Sequence, residues 1–415
     1  MPYKFLVFCC CFLFLTACST DEKIILEGDR ETVFETKKET KKQKQIIIKN
    51  SILAKNYPQK GYNSSHIFPS IKVDFEDLES DEILSSFPMS NPPVISENKL
   101  FAQSKNGIVK AVNLENTETI WEFTELAKAS LKNSGGLAIS DKILFATFGN
   151  GEIIAFDYDD GKILWRTKTK SAIYGSPTLA NGKIFIQTKD NVISIYSQKD
   201  GKLVDSQLQN LKNKHPLLKG NSVAIKDNFA VAGTTTGNII FFKTSGEIYR
   251  KQKLYENSSR RKAGVIRDIV ALPVIENNTV FVSGMNGTAG AYNLQTGDKK
   301  WEVPYGGMTS PIIVENAVFI FTSGGKIVAL DKNNGDLIWE KEVNTEDEKY
   351  NFPHIINNKI VFFGDDENVL LLDVNSKNEN KIDIDCSALI SPVFVNNEIF
   401  LATKNGNLIR LKKEQ

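Results

Sequence analysis

The residues able to do chemistry in this sequence are few and scattered. The three histidines, His66, His215 and His354, lie far apart, and none has a partner at the spacing of a zinc motif. Residues 157–161, Asp-Tyr-Asp-Asp-Gly, are loosely similar to a calcium loop but lack the glutamate that closes one. The sequence contains no glycine-rich phosphate loop with its lysine and no Gly-x-Ser-x-Gly motif. It therefore predicts no catalytic residue, no metal site and no cofactor, and it favours a binding protein over an enzyme.

The cysteines give the same indication. Four of the five lie within the first 18 residues, at positions 9, 10, 11 and 18. Only Cys386 remains in the body of the chain, so neither an intramolecular disulfide nor a thiolate metal cluster can form there. We expect Cys386 to be a small apolar core residue.

The N-terminus has the pattern of an export signal. Lys4 precedes an apolar stretch at residues 5–15, which is too short for a membrane-spanning helix of about 20 residues. The stretch ends in Leu15-Thr16-Ala17-Cys18, which resembles the bacterial lipobox, and Ser19 in place of Asp favours the outer membrane. An ordinary cleaved signal peptide is the alternative. We predict a signal peptide at residues 1–17, lipid attachment at Cys18, and a charged, solvated tether over residues 18–45.

The nearly balanced charge gives no indication of a polyelectrolyte partner such as a nucleic acid. The chain has 51 lysines and arginines against 50 aspartates and glutamates, so nucleic-acid binding has no electrostatic support. No stretch after the signal is apolar enough for a transmembrane helix.

A repeat of about 43 residues begins near residue 90 and continues to the end of the chain. Each unit contains short alternating β-rich runs separated by two turns, of which the second is typically Asp-Gly, Asn-Gly or Thr-Gly. The four tryptophans share one phase just beyond this second turn, which predicts equivalent docking positions between neighbouring sheets. The first turn recurs at Gly107, Gly151, Asn191, Gly237, Gly287, Gly325, Asn368 and Gly406.

Eight units of four short strands predict an all-β, eight-bladed β-propeller with four-stranded antiparallel blades. The last unit is one strand short, and an open edge there would be a template for wrong pairing. We therefore expect an N-terminal strand to complete the last blade and close the ring. Residues 71–75 and 46–48 are candidate closing strands.

The repeat resembles that of the quinoprotein, or PQQ-like, propellers. Ala329-Leu330-Asp331, followed by Gly335 and Trp339, shows the pattern fully, whereas the units at 176–207, 221–252 and 352–382 have no Trp. The superfamily contains dehydrogenases, which need PQQ, calcium, a catalytic Asp and a vicinal Cys-Cys disulfide. The body of this chain has no adjacent cysteine pair. The aspartates at the repeat position are explained as turn-forming residues (Asp157, Asp331, Asp373).

Residues 57–66, Tyr-Pro-Gln-Lys-Gly-Tyr-Asn-Ser-Ser-His, resemble the Trp-Pro-Gln-x-Gly-Gly-Asn-x-x-His stretch of the BamB family. The resemblance extends from about residue 50 to the end. It implies a propeller over residues 46–415 that faces the periplasm and has no catalytic activity. It also implies that the chain binds the periplasmic domains of BamA within the BAM complex and assists the folding of outer-membrane proteins, which are further expected partners.

The family contacts BamA through two neighbouring loops. Leu218 and Lys219 match part of the first loop, although Pro216 replaces its first leucine. Asp268 matches the first acidic residue of the second loop, Arg267 is adjacent, and Val270 replaces the second acidic residue. The resemblance thus implies that Leu218, Lys219, Arg267 and Asp268 bind BamA. The alternative is that Leu217 and Leu218 start a blade strand, while Arg267 and Asp268 pair with each other on the surface.

Two other functions remain open at this point. One is a PQQ-dependent dehydrogenase, and the other is a propeller lipoprotein that scaffolds a different envelope complex.

Overall fold

Short runs of β-branched and aromatic residues, bounded by turns, form the strands. The computed structural model describes residues 44–127, 135–207, 221–254, 267–285, 287–384 and 386–414. The strand Glu152–Asp157 is typical, because four buried apolar residues lie between two half-buried ends. Such continuous apolar runs are expected of strands covered on both faces. No helix in the described ranges is long and apolar enough to cross a membrane.

The strands form eight four-stranded antiparallel sheets, arranged as the blades of a propeller, so the predicted fold class is confirmed. In blades 1 to 7 the strands follow chain order from the inner edge of the blade to the outer edge. Strand β1 (Leu78–Leu84) precedes blade 1 but belongs to blade 8. Blade 1 contains β2 (Val94–Ser96), β3 (Lys99–Gln103), β4 (Val109–Asn113) and β5 (Thr119–Phe123); blade 2 contains β6 (Leu137–Ser140), β7 (Ile143–Thr147), β8 (Glu152–Asp157) and β9 (Ile163–Lys168). Blade 3 contains β10 (Thr178–Ala180), β11 (Lys183–Gln187), β12 (Ile193–Ser197) and β13 (Leu203–Gln207); blade 4 contains β14 (Ala224–Lys226), β15 (Phe229–Gly233), β16 (Asn238–Lys243) and β17 (Ile248–Lys253).

The second half of the chain repeats this plan. Blade 5 contains β18 (Val274–Glu276), β19 (Thr279–Gly284), β20 (Thr288–Asn293) and β21 (Lys299–Val303); blade 6 contains β22 (Ile312–Ile313), β23 (Ala317–Phe321), β24 (Lys326–Asp331) and β25 (Leu337–Glu342). Blade 7 contains β26 (Tyr350–Ile356), β27 (Lys359–Gly364), β28 (Asn368–Asp373) and β29 (Glu379–Asp383); blade 8 contains β30 (Val393–Val395), β31 (Glu398–Ala402), β32 (Leu408–Lys413) and β1.

The ring is closed by β1, which pairs antiparallel with β32, so the predicted closure by an N-terminal strand is confirmed. The candidate segments were wrong, because residues 78–84 close the ring rather than 71–75 or 46–48. An outermost blade strand is largely exposed, and β1 accordingly has the mixed sequence Leu-Glu-Ser-Asp-Glu-Ile-Leu. The more apolar candidates pack elsewhere: Ile71, Val73 and Phe75 are buried against blades 7 and 8, and Ile46 is buried against blades 6 and 7.

The core is divided among the junctions between blades. In the described residues it forms eight apolar clusters, and each cluster joins two neighbouring blades. Cys386 lies buried in the cluster between blades 7 and 8, which confirms its predicted core position. Because every junction buries apolar surface, each one contributes to the stability of the ring.

The first turn of each blade requires a residue with positive φ, in the left-handed backbone region, and the structure has one at each of these turns. Gly151, for example, has φ +88°, and Asn191 has φ +67°. In blade 7 the left-handed residue is Glu367, with φ +59°, rather than the predicted Asn368. The apolar run of β28 accordingly begins at Val369, one residue earlier than a turn at Asn368 would place it.

The tryptophans dock between blades as the repeat predicts. The indole N–H of Trp121 donates to the Tyr158 carbonyl of blade 2 at 3.3 Å, and that of Trp165 donates to the Gln198 carbonyl of blade 3 at 3.0 Å. The rings of Trp121, Trp165 and Trp301 pack on the second-turn glycine of the next blade. A Cβ at Gly161 would lie 2.5 Å from the Trp121 ring, for instance. Equivalent bonds join the other two tryptophans to the following blade (Trp301 to the Lys332 carbonyl and Trp339 to the Val374 carbonyl, both 3.0 Å).

Two blades without Trp fill the same position with a charged residue. Asp205 of blade 3 lies against Gly246, and Arg250 of blade 4 lies against Gly297. The Arg250 guanidinium also reaches Asp298 at 3.5 Å. The docking position is therefore retained in these blades, although the tryptophan is not.

The Trp–glycine contact makes Gly161 sensitive to substitution. We expect Gly161→Ala to lower the free energy of unfolding by about 2 kcal/mol more than Gly182→Ala, because the new methyl group overlaps Trp121. Both glycines have positive φ, but a Cβ at Gly182 meets no atom within 4 Å. Gly182→Ala thus measures only the loss of unfolding free energy that comes from placing alanine at a positive φ. Urea denaturation followed by tryptophan fluorescence measures both variants, and equal losses would contradict the proposed contact.

Candidate docking face and central cavity

An N-terminal plug, defined here as residues 52–75, lies across the inner strands of the propeller. Tyr57 exchanges two backbone hydrogen bonds with Ile95 of blade 1, at 2.8 and 2.9 Å. The Ile139 N–H of blade 2 donates to the Pro58 carbonyl at 2.8 Å. The plug backbone therefore forms hydrogen bonds with the innermost strands of two successive blades.

The plug continues around the ring. The Leu179 N–H of blade 3 donates to the Gln59 side-chain oxygen at 2.9 Å. Blades 4 and 5 donate to the plug backbone, from Ile225 to Ser64 at 2.6 Å and from Ile275 to Ser65 at 2.9 Å. Further bonds reach blades 7 and 8 (Ile71 to Ile355, 3.0 Å; Asn396 to Ala54, 2.7 Å). The family-like stretch at 57–66 thus lies at the inner edges of five consecutive blades.

His66 fixes the middle of the plug. Its side chain is 1% exposed, and its Nδ1 lies 2.9 Å from the Pro273 carbonyl of blade 5. A Cβ at Gly61 would lie 2.5 Å from the imidazole ring, so only glycine fits opposite it. Burial lowers the pKa of His66 to about 4; the Pro273 hydrogen bond opposes this shift, and the charge of Lys60 adds to it. His66 is therefore neutral at pH 7 and acts as a structural anchor.

A central cavity of about 620 Å³ lies against the plug. Plug residues, including Tyr57 and Phe68, form one wall. The other walls come from the residues that lead into the inner strands of several blades, such as Met89, Leu272 and Phe352. Met308 and Leu389 line it as well, with 48% and 36% of their surfaces exposed. The site is concave and mainly apolar, as small-molecule sites usually are.

A few polar groups converge on this cavity. The Lys60 ammonium donates to the Asn91 side-chain oxygen at 3.1 Å. The hydroxyls of Ser90 and Thr309 are buried without a hydrogen-bond partner among the described residues. His354 lies 3.1 Å from the Ser391 hydroxyl, and burial lowers its pKa to about 4. No carboxylate is among the described residues that line the cavity.

The predicted docking residues are only partly within the described chain. Cys18, Leu218 and Lys219 lie outside it. Arg267 is exposed, whereas Asp268 is 6% exposed, and its backbone carbonyl accepts the Met285 N–H at 3.1 Å. The burial of Asp268 does not support the alternative of a surface ion pair with Arg267.

The flanks of the two candidate loops meet. Asn221, which follows the first loop, donates from its side-chain amide to the carbonyl of Ile269, just after the second loop, at 2.9 Å. The Ile269 N–H in turn donates to Thr234 at 3.1 Å. The loops connect blades 3 to 4 and 4 to 5, so they lie on adjacent blades, as the spacing predicts. Val270 and Leu272, which follow Asp268, line the cavity, so the second loop joins the cavity wall directly.

The fold and this site define a β-propeller with an N-terminal plug and a central cavity whose described lining contains no carboxylate. A family model described as "Outer membrane protein assembly factor BamB" matches residues 105–320 and 306–415. The chain therefore belongs to the BamB family.

Individual relatives are distant. Outer membrane protein assembly factor BamB of Yersinia pestis is 22% identical over 226 residues, covering 52% of this chain and 57% of the relative. The corresponding protein of Alteromonas naphthalenivorans is 25% identical over 257 residues, covering 57% and 60%. The chain thus matches less than two thirds of either relative's length.

Solved structures share the fold. The crystal structure of BamB from Moraxella catarrhalis has a TM-score of 0.68 at 16% identity, covering 80% of this chain and 98% of that one. A europium-containing methanol dehydrogenase also has a TM-score of 0.68, at 11% identity, covering 84% and 89%. At these identities the likeness concerns the fold alone, and function must be argued from the residues.

Proposed function

We propose that this chain is a scaffold lipoprotein of the outer-membrane β-barrel assembly complex, which binds the periplasmic domains of BamA and assists the folding and insertion of outer-membrane proteins. Membership of the BamB family is the observation that carries this proposal. The proposal places the chain at the outer membrane, facing the periplasm, with a lipid anchor on Cys18. The motif Leu15-Thr16-Ala17-Cys18 supports the anchor, since the acyl chains of a lipoprotein bury many CH₂ groups in the membrane.

The proposed BamA-binding residues are Leu218, Lys219, Arg267 and Asp268. The support is the hydrogen bond from the Asn221 side chain to the Ile269 carbonyl, which joins the described flanks of the two loops. Arg267 offers an exposed charge there, while Asp268 holds the segment through its backbone bond to Met285. An apolar centre from Leu218 with a charged rim is the usual composition of a protein interface.

We also propose that the chain acts without catalysis. A calcium-dependent quinone site needs oxygen ligands, and carboxylates are the usual ones. The described lining of the central cavity offers none, and no group of three or more His, Cys, Asp or Glu side chains among the described residues could hold a metal ion. The residues present therefore do not fit the dehydrogenase alternative.

Affinity purification of the tagged chain from detergent-solubilised envelopes tests the proposed partner. We expect BamA to co-purify with the unaltered chain and to be largely lost with the double variant Lys219→Glu, Arg267→Glu, because reversal of rim charges opposes association. Lys168→Glu, on the exposed outer strand of blade 2, is the matched control and should retain BamA.

The two parts of the proposal fail separately. Purification of the unaltered chain without BamA would count against the function and favour a scaffold of another envelope complex. Undiminished capture by the double variant would reject only the assigned loop residues.

A further inference from the structure

The central cavity has mainly apolar walls, with a few polar side chains among them. Its apolar surface comes from side chains such as Phe68, Met89 and Phe352. The buried hydroxyls of Ser90 and Thr309 lack protein partners among the described residues. A few polar groups thus lie among mainly apolar walls, and an occupant with an apolar body and one polar end matches that lining.

The charged side chains in the described lining of the cavity are all positive. Lys60 and Lys105 are the charged side chains among its described lining residues. His354 adds no charge at pH 7, because burial lowers its pKa to about 4. With two ammonium groups and no carboxylate in the part of its lining that the structure describes, the cavity attracts an anion and repels a cation.

We propose that this cavity binds a small organic monoanion, in which an aromatic or branched apolar body carries one carboxylate. The body contacts the apolar walls, and the carboxylate lies near Lys60 and Lys105. A volume of about 620 Å³ accommodates such a molecule. The cavity adjoins the second candidate docking loop at Val270, but binding of the anion does not require BamA.

Three matched probes test the charge preference by isothermal titration calorimetry on the whole mature chain. They are 4-phenylbutyrate, 4-phenylbutanol and 4-phenylbutylammonium, which differ only in the end group. We expect the carboxylate to bind roughly tenfold or more tightly than the alcohol, and the ammonium to bind more weakly than both. Equal affinities, or no heat from 4-phenylbutyrate at millimolar concentration, would overturn the proposal.

Variants locate the binding. Lys105→Met lies in a first-turn loop and should weaken 4-phenylbutyrate roughly fivefold while leaving 4-phenylbutanol unchanged. Thr309→Trp fills the cavity and should abolish binding of both probes. Lys168→Met, on the exposed outer strand of blade 2, is the control and should bind like the unaltered chain. If Lys168→Met loses as much affinity as Lys105→Met, the binding is a general charge effect and the site is wrong.

Two sources could present this chemistry, a free organic acid or the C-terminus of a peptide. N-acetyl-Gly-Leu with a free or an amidated C-terminus separates them. Tighter binding of the free-ended dipeptide than of 4-phenylbutyrate assigns the site to a peptide terminus, and the reverse assigns it to a free acid. Either order supports an anion site, whereas equal binding of the free and amidated dipeptides counts against it.

Discussion

The propeller will lose about 3 kcal/mol of unfolding free energy for each of two buried histidines as the pH falls from 6.5 to 4. Burial lowers the pKa of both His66 and His354 to about 4, while in the unfolded chain each ring titrates near its ordinary value. Between these values the unfolded chain binds more protons than the folded chain. The stabilisation is therefore complete above pH 6.5, is lost as the pH falls, and changes little more below pH 4.

The physical cause differs slightly between the two rings. Nδ1 of His66 lies at the Pro273 carbonyl, and its Nε2 has no partner among the described residues, so a second proton there would be buried without an acceptor. His354 lies between the rings of Phe68 and Phe394. Both sites disfavour the charged imidazolium because they remove it from water.

Urea denaturation at a series of pH values tests this prediction. The single variants His66→Asn and His354→Gln should each reduce the slope of stability against pH by about 1.4 kcal/mol per unit between pH 6 and 4.5. The slope is the readout, because either substitution will also lower stability at pH 7. An unfolding free energy in the unaltered chain that stays flat from pH 6.5 to 4.5 would contradict the assignment.

Replacement of Arg410 by methionine will lower the free energy of unfolding by about 3–5 kcal/mol, because it leaves buried groups without their partner. Arg410 is 6% exposed and lies in β32 directly opposite Asp81 of the closing strand, with which it forms an ion pair. Its guanidinium also donates to the Leu114 carbonyl of blade 1 at 2.6 Å and lies 3.8 Å from Glu398. One side chain thus joins both sides of the ring closure.

Lys412 provides a matched control on the same strand. It lies 4.0 Å from Asp81 but is more exposed, so Lys412→Met should cost less than about 1 kcal/mol. The double variant Arg410→Met, Asp81→Leu should recover part of the loss, since it also removes the half-buried carboxylate that Arg410 neutralises. Thermal and urea denaturation measure all three variants. Similar losses for Arg410→Met and Lys412→Met would show that the closure does not depend on the buried guanidinium.

The sequence predicts the propeller well because each blade repeats strong local signals. Apolar runs, left-handed turn residues and a tryptophan at one phase act within about 43 residues of each other. The structure confirms eight blades, closure from the N-terminus and docking by Trp121 and its equivalents. The identity of the closing strand was mispredicted, because β1 is largely exposed and so lacks the apolar run that marks a buried strand.

The plug and the cavity could not be predicted for a different reason. The plug is irregular, and its backbone bonds go to blades far along the chain, so no periodicity marks it. The cavity wall combines residues as distant as Lys60, Thr309 and Leu389, which only the closed ring brings together. The two docking loops were found through family resemblance alone, since their local sequence has no structural signature.

The pairing of β1 with β32 also has a consequence for the order in which the chain is completed. β1 is synthesised early, whereas its partner β32 follows blades 1 to 7 in the chain. Blade 8 therefore cannot form until residues 408–413 are present. A chain cut short before that point keeps an unpaired strand at each side of the gap, and such edges invite aggregation and proteolysis. The pairing of β1 with β32 therefore distinguishes chains that contain residues 408–413 from shorter ones before any partner is bound.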